Sequence, residues 1–132
     1  MKRSNTKTAA FAHFGAKAKN VRWGWSARSD DGATVVITVW SDEFDADDPE
    51  AVLTKYAQKD LDWWRNRPGN RDRIKNLAHA EDHCDGRFRI VVATARDPAA
   101  IPRQATGFRP HPQVMKLVRL DRQSGEFEAK RA

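Results

Sequence analysis

The stretch Lys19-Asn-Val-Arg-Trp-Gly-Trp-Ser-Ala-Arg-Ser-Asp-Asp-Gly-Ala-Thr-Val-Val-Ile-Thr-Val-Trp40 constrains the chain more than any other. From Val21 to Arg28 it alternates, with Val21, Trp23, Trp25 and Ala27 on one side and Arg22, Gly24, Ser26 and Arg28 on the other. That is the period-two signature of a strand. Ser29-Asp30-Asp31-Gly32 has turn chemistry, with Asp-Gly at its end. Ala33 to Trp40 is β-branched and apolar on both faces, as in a strand covered on both sides. The two runs form a hairpin holding three of the five tryptophans.

A chain of 132 residues supports one hydrophobic core. The expected organisation is a basic, partly flexible arm over residues 1–14 and a single α+β domain over 15–132. Phe11 and Phe14 read as pinning a loop or edge segment. Asp48 and Pro49 have the chemistry of an N-cap and first helical position. Leu53, Ala57, Leu61 and Trp64 then continue a helical stripe, with Val52, Tyr56 and Trp63 widening it. Arg67-Pro-Gly-Asn ends that helix, and a second runs from Asp72 to about Asp82 with Ile74, Leu77 and Ala78 facing inward. Arg87 to Ala95 reads as a central strand. The prolines of 97–102 and 109–112 suggest a connecting loop or a short turn of helix. Gln113 to Asp121 and Glu126 to Lys130 suggest a last hairpin. The order ββααβββ predicts a curled mixed or antiparallel sheet, or a small open barrel, with two helices packed on it.

The formal net charge of +6 favours a polyanionic partner, because each phosphate neutralised by Lys or Arg releases condensed counterions. The charge is divided. Residues 1–30 carry seven Lys or Arg against one acid, whereas residues 31–62 carry nine acids against two lysines. Such blocks suggest faces of opposite potential, although solvation alone also accounts for charged side chains. One cysteine, Cys84, excludes an intramolecular disulfide. With no apolar run of membrane-spanning length and no signal-peptide pattern, a cytoplasmic protein without membrane contact is expected.

Trp23 and Trp25 share a strand face and, with Trp40 from the neighbouring strand, would make an aromatic wall. Stacking a base on such a ring is worth about 1–3 kcal/mol, and a flipped base needs an aromatic pocket with hydrogen bonds at its polar edge. Asn20, Ser26 and Ser41 would supply those bonds. The competing reading is that the tryptophans are core packing. Lys17, Lys19, Arg22, Arg28, Arg103 and Arg109 are the candidate phosphate contacts, with Arg96 and His111 in the same proline-rich region. His79 and His83, four residues apart, would share a helical face and suit a metal. The zincin pattern fails there, because Ala80 stands where its glutamate belongs. The acids Asp42 to Glu50 lack the glycine and final glutamate of a calcium loop and also suit a helix N-terminus. No nucleophile elbow, phosphate loop or Cys-x-x-Cys pair is present, so no cofactor is expected and catalysis is the minority reading.

The segment from Lys19 to Gly32, followed by a strand ending Val-Trp-Ser-Asp, resembles a group of small bacterial domains. These have an Asn-x-x-Trp-Ser-Trp-like strand and occur alone or beside HNH-type nuclease modules. The resemblance extends through Ala93-Thr-Ala-Arg-Asp-Pro-Ala-Ala-Ile-Pro-Arg to the last hairpin, over about residues 15–130. The aromatic hairpin also looks like those of the PUA-like superfamily, whose EVE, YTH and SRA-type modules accept modified bases in an aromatic pocket. The resemblance implies Asn20, Trp23, Trp25, Ser26 and Trp40 as pocket residues. Gly24 stands where the commoner motif has serine. Together these readings predict a reader of modified or flipped bases, in DNA rather than RNA, in a restriction or phage-defence context with a separate nuclease chain as a possible partner. The alternatives are a small metal-dependent nuclease or hydrolase using His79 and His83, and a protein-interaction module.

Overall fold

In a computed structural model, residues 6–17, 26–41, 52–53, 68–97, 99, 105–123 and 126–132 are described; for 52–53 and 68–70 this covers the backbone path only. The elements are α1 (Lys7–His13), β1 (Ala16–Lys17), β2 (Ser26–Ser29), β3 (Val35–Trp40), β4 (Val52–Leu53), α2 (Pro68–His83), β5 (Arg87–Ala95), β6 (Ala105–Pro110), β7 (Met115–Leu120) and β8 (Phe127–Arg131). The protein is α+β. Its mixed, open sheet runs β1-β2-β3-β5-β7-β8-β4, with β6 also paired to β5.

The sheet curls because β5 is shared. Its first residues, Arg87 and Phe88, pair with β7, whereas Val91 to Ala95 pair with β6. The chain passes from β6 to β7 through His111–Val114, where Pro112 has no N–H to continue a ladder. β3 and β5 are parallel, from Val36 opposite Arg89 to Trp40 opposite Ala93, and the chain between them includes α2. The remaining pairings are antiparallel.

The alternation of β3 between two apolar faces is what buries every one of its residues. Val35, Ile37 and Val39 join Leu77 and Ala80 of α2 with Phe88, Ile90, Val92, Met115, Phe127 and Ala129 in the larger core. Val36 turns to the other face and packs with Val91, Ala27, Ala16, Ala10 and Phe11. Each such large apolar side chain contributes about 1.5–3 kcal/mol by leaving water. Thr38 is also buried in β3, and its Oγ1 has no hydrogen-bond partner among the described residues.

Several local expectations are corrected. Phe11 lies in a helix, not a loop or edge segment. Thr6 caps it by accepting a hydrogen bond from the Ala9 N–H at 3.1 Å, and Phe11 anchors it in the second core. Val52–Leu53, expected in the first turn of a helix, pair as strand with Ala129 and Glu128; residues 54–67 lie outside the described residues. Pro68 is the first residue of α2, in keeping with its preference for a first helical turn, and the helix expected to end there lies outside the described residues. α2 buries Arg73, Asn76, Leu77 and Ala80, while Ile74 and Ala78 are only partly covered. The helix is thus turned so that two polar residues enter its packed stripe. Residues 105–110 are a strand and not a loop, since Pro110 sits at its last position, where a missing N–H is tolerated.

Candidate functional site

The turn after β2 is held by its own side chains. Asp31 Oδ1 accepts from the Ser29 hydroxyl at 2.7 Å and from the Ala33 N–H at 3.0 Å, and the Gly32 N–H donates to the Ser29 carbonyl at 2.9 Å. Those hydrogen bonds hold the Asp31 carboxyl below its ordinary pKa. Gly32 has a φ of 72°, in the left-handed region that glycine tolerates. His79 of α2 closes over this turn, its Nε2 lying 2.8 Å from the Gly32 carbonyl oxygen. Because a carbonyl only accepts, that nitrogen carries the proton.

This docking sets β2 against α2 and creates a cleft. Ser26 and Arg28 are two residues apart and so share a strand face, while Asp72 and Asn76 are four apart and share a helix face. The Ser26 hydroxyl donates to Asp72 Oδ2 at 3.2 Å and accepts from Asn76 Nδ2 at 2.7 Å. On the edge strand, Lys17 stands directly opposite Arg28. The resulting cleft of about 120 Å³ is lined by Ser26, Asp72 and Asn76 together with Lys17 and Arg28. Two cations therefore face one carboxylate and one amide, a set able to grip an anion and to hydrogen-bond a polar ring edge.

Of the candidate base contacts, Ser26 is fully buried and spends its hydroxyl on α2. Trp40 is 6% exposed at the end of β3, the core-packing alternative for this tryptophan. Ser41 is exposed. Asn20, Trp23 and Trp25 lie outside the described residues, as do Lys19, Arg22 and Arg103 and the acids from Asp42 to Glu50. Lys17 and Arg28 are brought together. Arg109, exposed on β6 opposite Val92, is three strand intervals from Arg28 and four residues farther along the strands, roughly 19 Å away. Arg96 is exposed beyond β5, and His111 Nδ1 accepts from the Gln113 N–H at 3.2 Å in the β6–β7 connection.

His79 and His83 do share a face, with ring centroids 4.8 Å apart. However, His79 Nε2 is committed to Gly32, and among the described residues no three His, Cys, Asp or Glu side chains are grouped to hold a metal. Cys84 points its sulfur at the Gly32 and Ala33 carbonyls, at 3.5 and 3.6 Å. Partial burial pushes its thiol pKa up, away from the thiolate that nucleophilic chemistry needs.

Asp72 and Asn76 were not singled out from the sequence. The available signal was their spacing: two polar residues fall on the stripe that Leu77 and Ala80 define, where a purely packing helix carries apolar side chains. No protein-family model, curated protein or solved structure matches this chain.

Proposed function

We propose that the protein is a nucleic-acid-binding domain, a reader of a flipped or modified DNA base. The observation that carries this reading is the register of Lys17 against Arg28 beside the Ser26–Asp72–Asn76 cluster. The cations supply sequence-independent attraction for phosphate. Asp72 presents a carboxylate, suited to an exocyclic amino group, and Asn76, buried with its Nδ2 donating to Ser26, fixes the hydroxyl beside it. The cleft, at about 120 Å³, is small beside the 300–1,000 Å³ of typical ligand sites, which favours a single small planar group. The preference for DNA, the restriction or phage-defence setting and a separate nuclease partner rest on the resemblance of the tryptophan hairpin alone.

The test is a tryptophan-fluorescence titration with short single- and double-stranded oligonucleotides, plain and with methylated or hydroxymethylated bases, across a salt series. Arg28→Gln is expected to weaken every oligonucleotide alike and to lower the slope of log K against log salt by about one. Asn76→Ala is expected to change the ranking among bases and to leave that slope intact. Lack of response to any oligonucleotide at low salt would sink the proposal.

A further inference from the structure

A second cationic array lies away from the cleft, and its register makes it unusual. Arg87 of β5 stands directly opposite Lys116 of β7, and Lys116 stands directly opposite Lys130 of β8. All three are exposed. The Leu117 N–H donates to the Gly86 carbonyl at 2.9 Å, so Arg87 and Lys116 form the narrow, non-hydrogen-bonded kind of pair, with Cα atoms about 4.5 Å apart. The Ala132 N–H likewise donates to the Val114 carbonyl, which makes Lys116 and Lys130 the wider kind, at about 5.5 Å. Three cations are thus strung across roughly 10 Å of sheet.

Like charges directly opposite on neighbouring strands destabilise a sheet. The next rung shows the ordinary remedy, since Arg119 opposes Glu128 with 3.9 Å between charged atoms. Among the described residues, the ion pair recorded for the Arg87 rung is Asp85, 3.5 Å from the Lys116 ammonium, with both side chains well exposed to water. The rung therefore keeps net positive charge. Its members alternate along their strands with Phe88, Met115 and Ala129 of the larger core, so they project from the opposite face. Arg28 pairs with Val35 of that same core, which puts the cleft and the rung on different faces of the sheet.

We propose that the Arg87–Lys116–Lys130 rung is a docking surface for the phosphate backbone of a nucleic acid. Duplex DNA carries one negative charge per roughly 1.7 Å of axis, so the span of the rung faces several phosphates. The polyanion relieves the repulsion that the free protein bears. This inference stands on charge and register and not on the cleft, and its variants leave the cleft residues untouched.

The experiment uses the full chain and a fluorescently labelled 20-base-pair plain duplex, with anisotropy read across a salt series and thermal unfolding measured in parallel. Lys130→Glu is expected to raise Tm, because it places an opposite charge beside Lys116, and to weaken duplex binding about tenfold. Arg87→Gln, on a different strand, is expected to lower the salt slope by about 0.9. Wild-type affinity and slope in both variants would overturn the proposal, as would a lower Tm for Lys130→Glu. Loss of binding to phosphatidylserine vesicles with duplex binding unchanged would overturn it in favour of a membrane surface. Base-dependent binding of single strands that persists in both variants, with no wild-type affinity for the duplex, would remove the rung and leave the cleft reading standing.

Discussion

The β2–β3 and β7–β8 hairpins are both tied to the last turns of α2, by different chemistry. The first is held by His79 at the Gly32 carbonyl, a partly buried hydrogen bond at 2.8 Å that backs a turn already locked by Ser29 and Asp31. The second is held by Arg122, which reaches Glu81 at 2.7 Å and Asp82 at 2.9 Å, all three side chains substantially exposed. Asp82 and Glu81 raise the Arg122 pKa, and Arg122 in turn lowers that of Asp82. A shielded hydrogen bond competes little with salt, while exposed ion pairs are screened and contribute little individually. One hairpin is therefore fastened locally and the other electrostatically. The cleft is built beside the first, the cationic rung beside the second.

The largest effect should come from breaking the local fastening. In Gly32→Ala, the new methyl group would sit 3.2 Å from His79 Nε2 and force an L side chain into a left-handed conformation. A loss of about 1–2 kcal/mol in urea unfolding is expected. A near-wild-type midpoint would mean that His79 and the turn shift together at little cost. Arg122→Gln should cost less, and its difference from wild type should disappear in 1 M NaCl, where the screening length is about 3 Å. A deficit that survives that salt would show the contact to be more than an exposed ion pair.

The smallest effect concerns acid. Asp31 and Asp82 both have pKa values depressed below the ordinary carboxylate range, so the stability they contribute is present above about pH 4 and is lost as pH falls through their folded-state values. The unfolding midpoint should fall along that acid limb. High salt should flatten the share due to Asp82 and leave that due to Asp31, which rests on hydrogen bonds. Equal flattening in Asp31→Asn and Arg122→Gln proteins would erase the distinction between the hairpins.

The α+β class, the Ser29–Gly32 turn, the doubly covered β3 and the last hairpin were legible because each is written in local pattern and turn chemistry. Val35–Trp40 could hardly be anything but an inner strand. What escaped the sequence was non-local. Val52–Leu53 fit a helical stripe as well as a strand, and pairing with β8 decides between them. β6 was hidden by the prolines around it, and α1 by its brevity. Ser26 was legible as a candidate, but its partners lie 46 and 50 residues away, so no spacing rule connects them. The rung was invisible for the same reason, since Arg87, Lys116 and Lys130 become neighbours only through strand register.

The order of the sheet also bears on how copies of this protein behave together. The strands at the two ends of its path, β1 and β4, are each two residues long. Another strand paired on one side among the described residues, β6, finishes at Pro110, which lacks an N–H to offer a neighbour. Long open rims are where foreign strands add and aggregation begins, and short or proline-ended rims are a common protection. The apolar strands β3 and β5, the segments most prone to assemble if released, are enclosed in the middle. Among the described residues, the two ends of the sheet path thus offer little length of backbone for another chain to extend, and the longer rim, β6, stops at a proline.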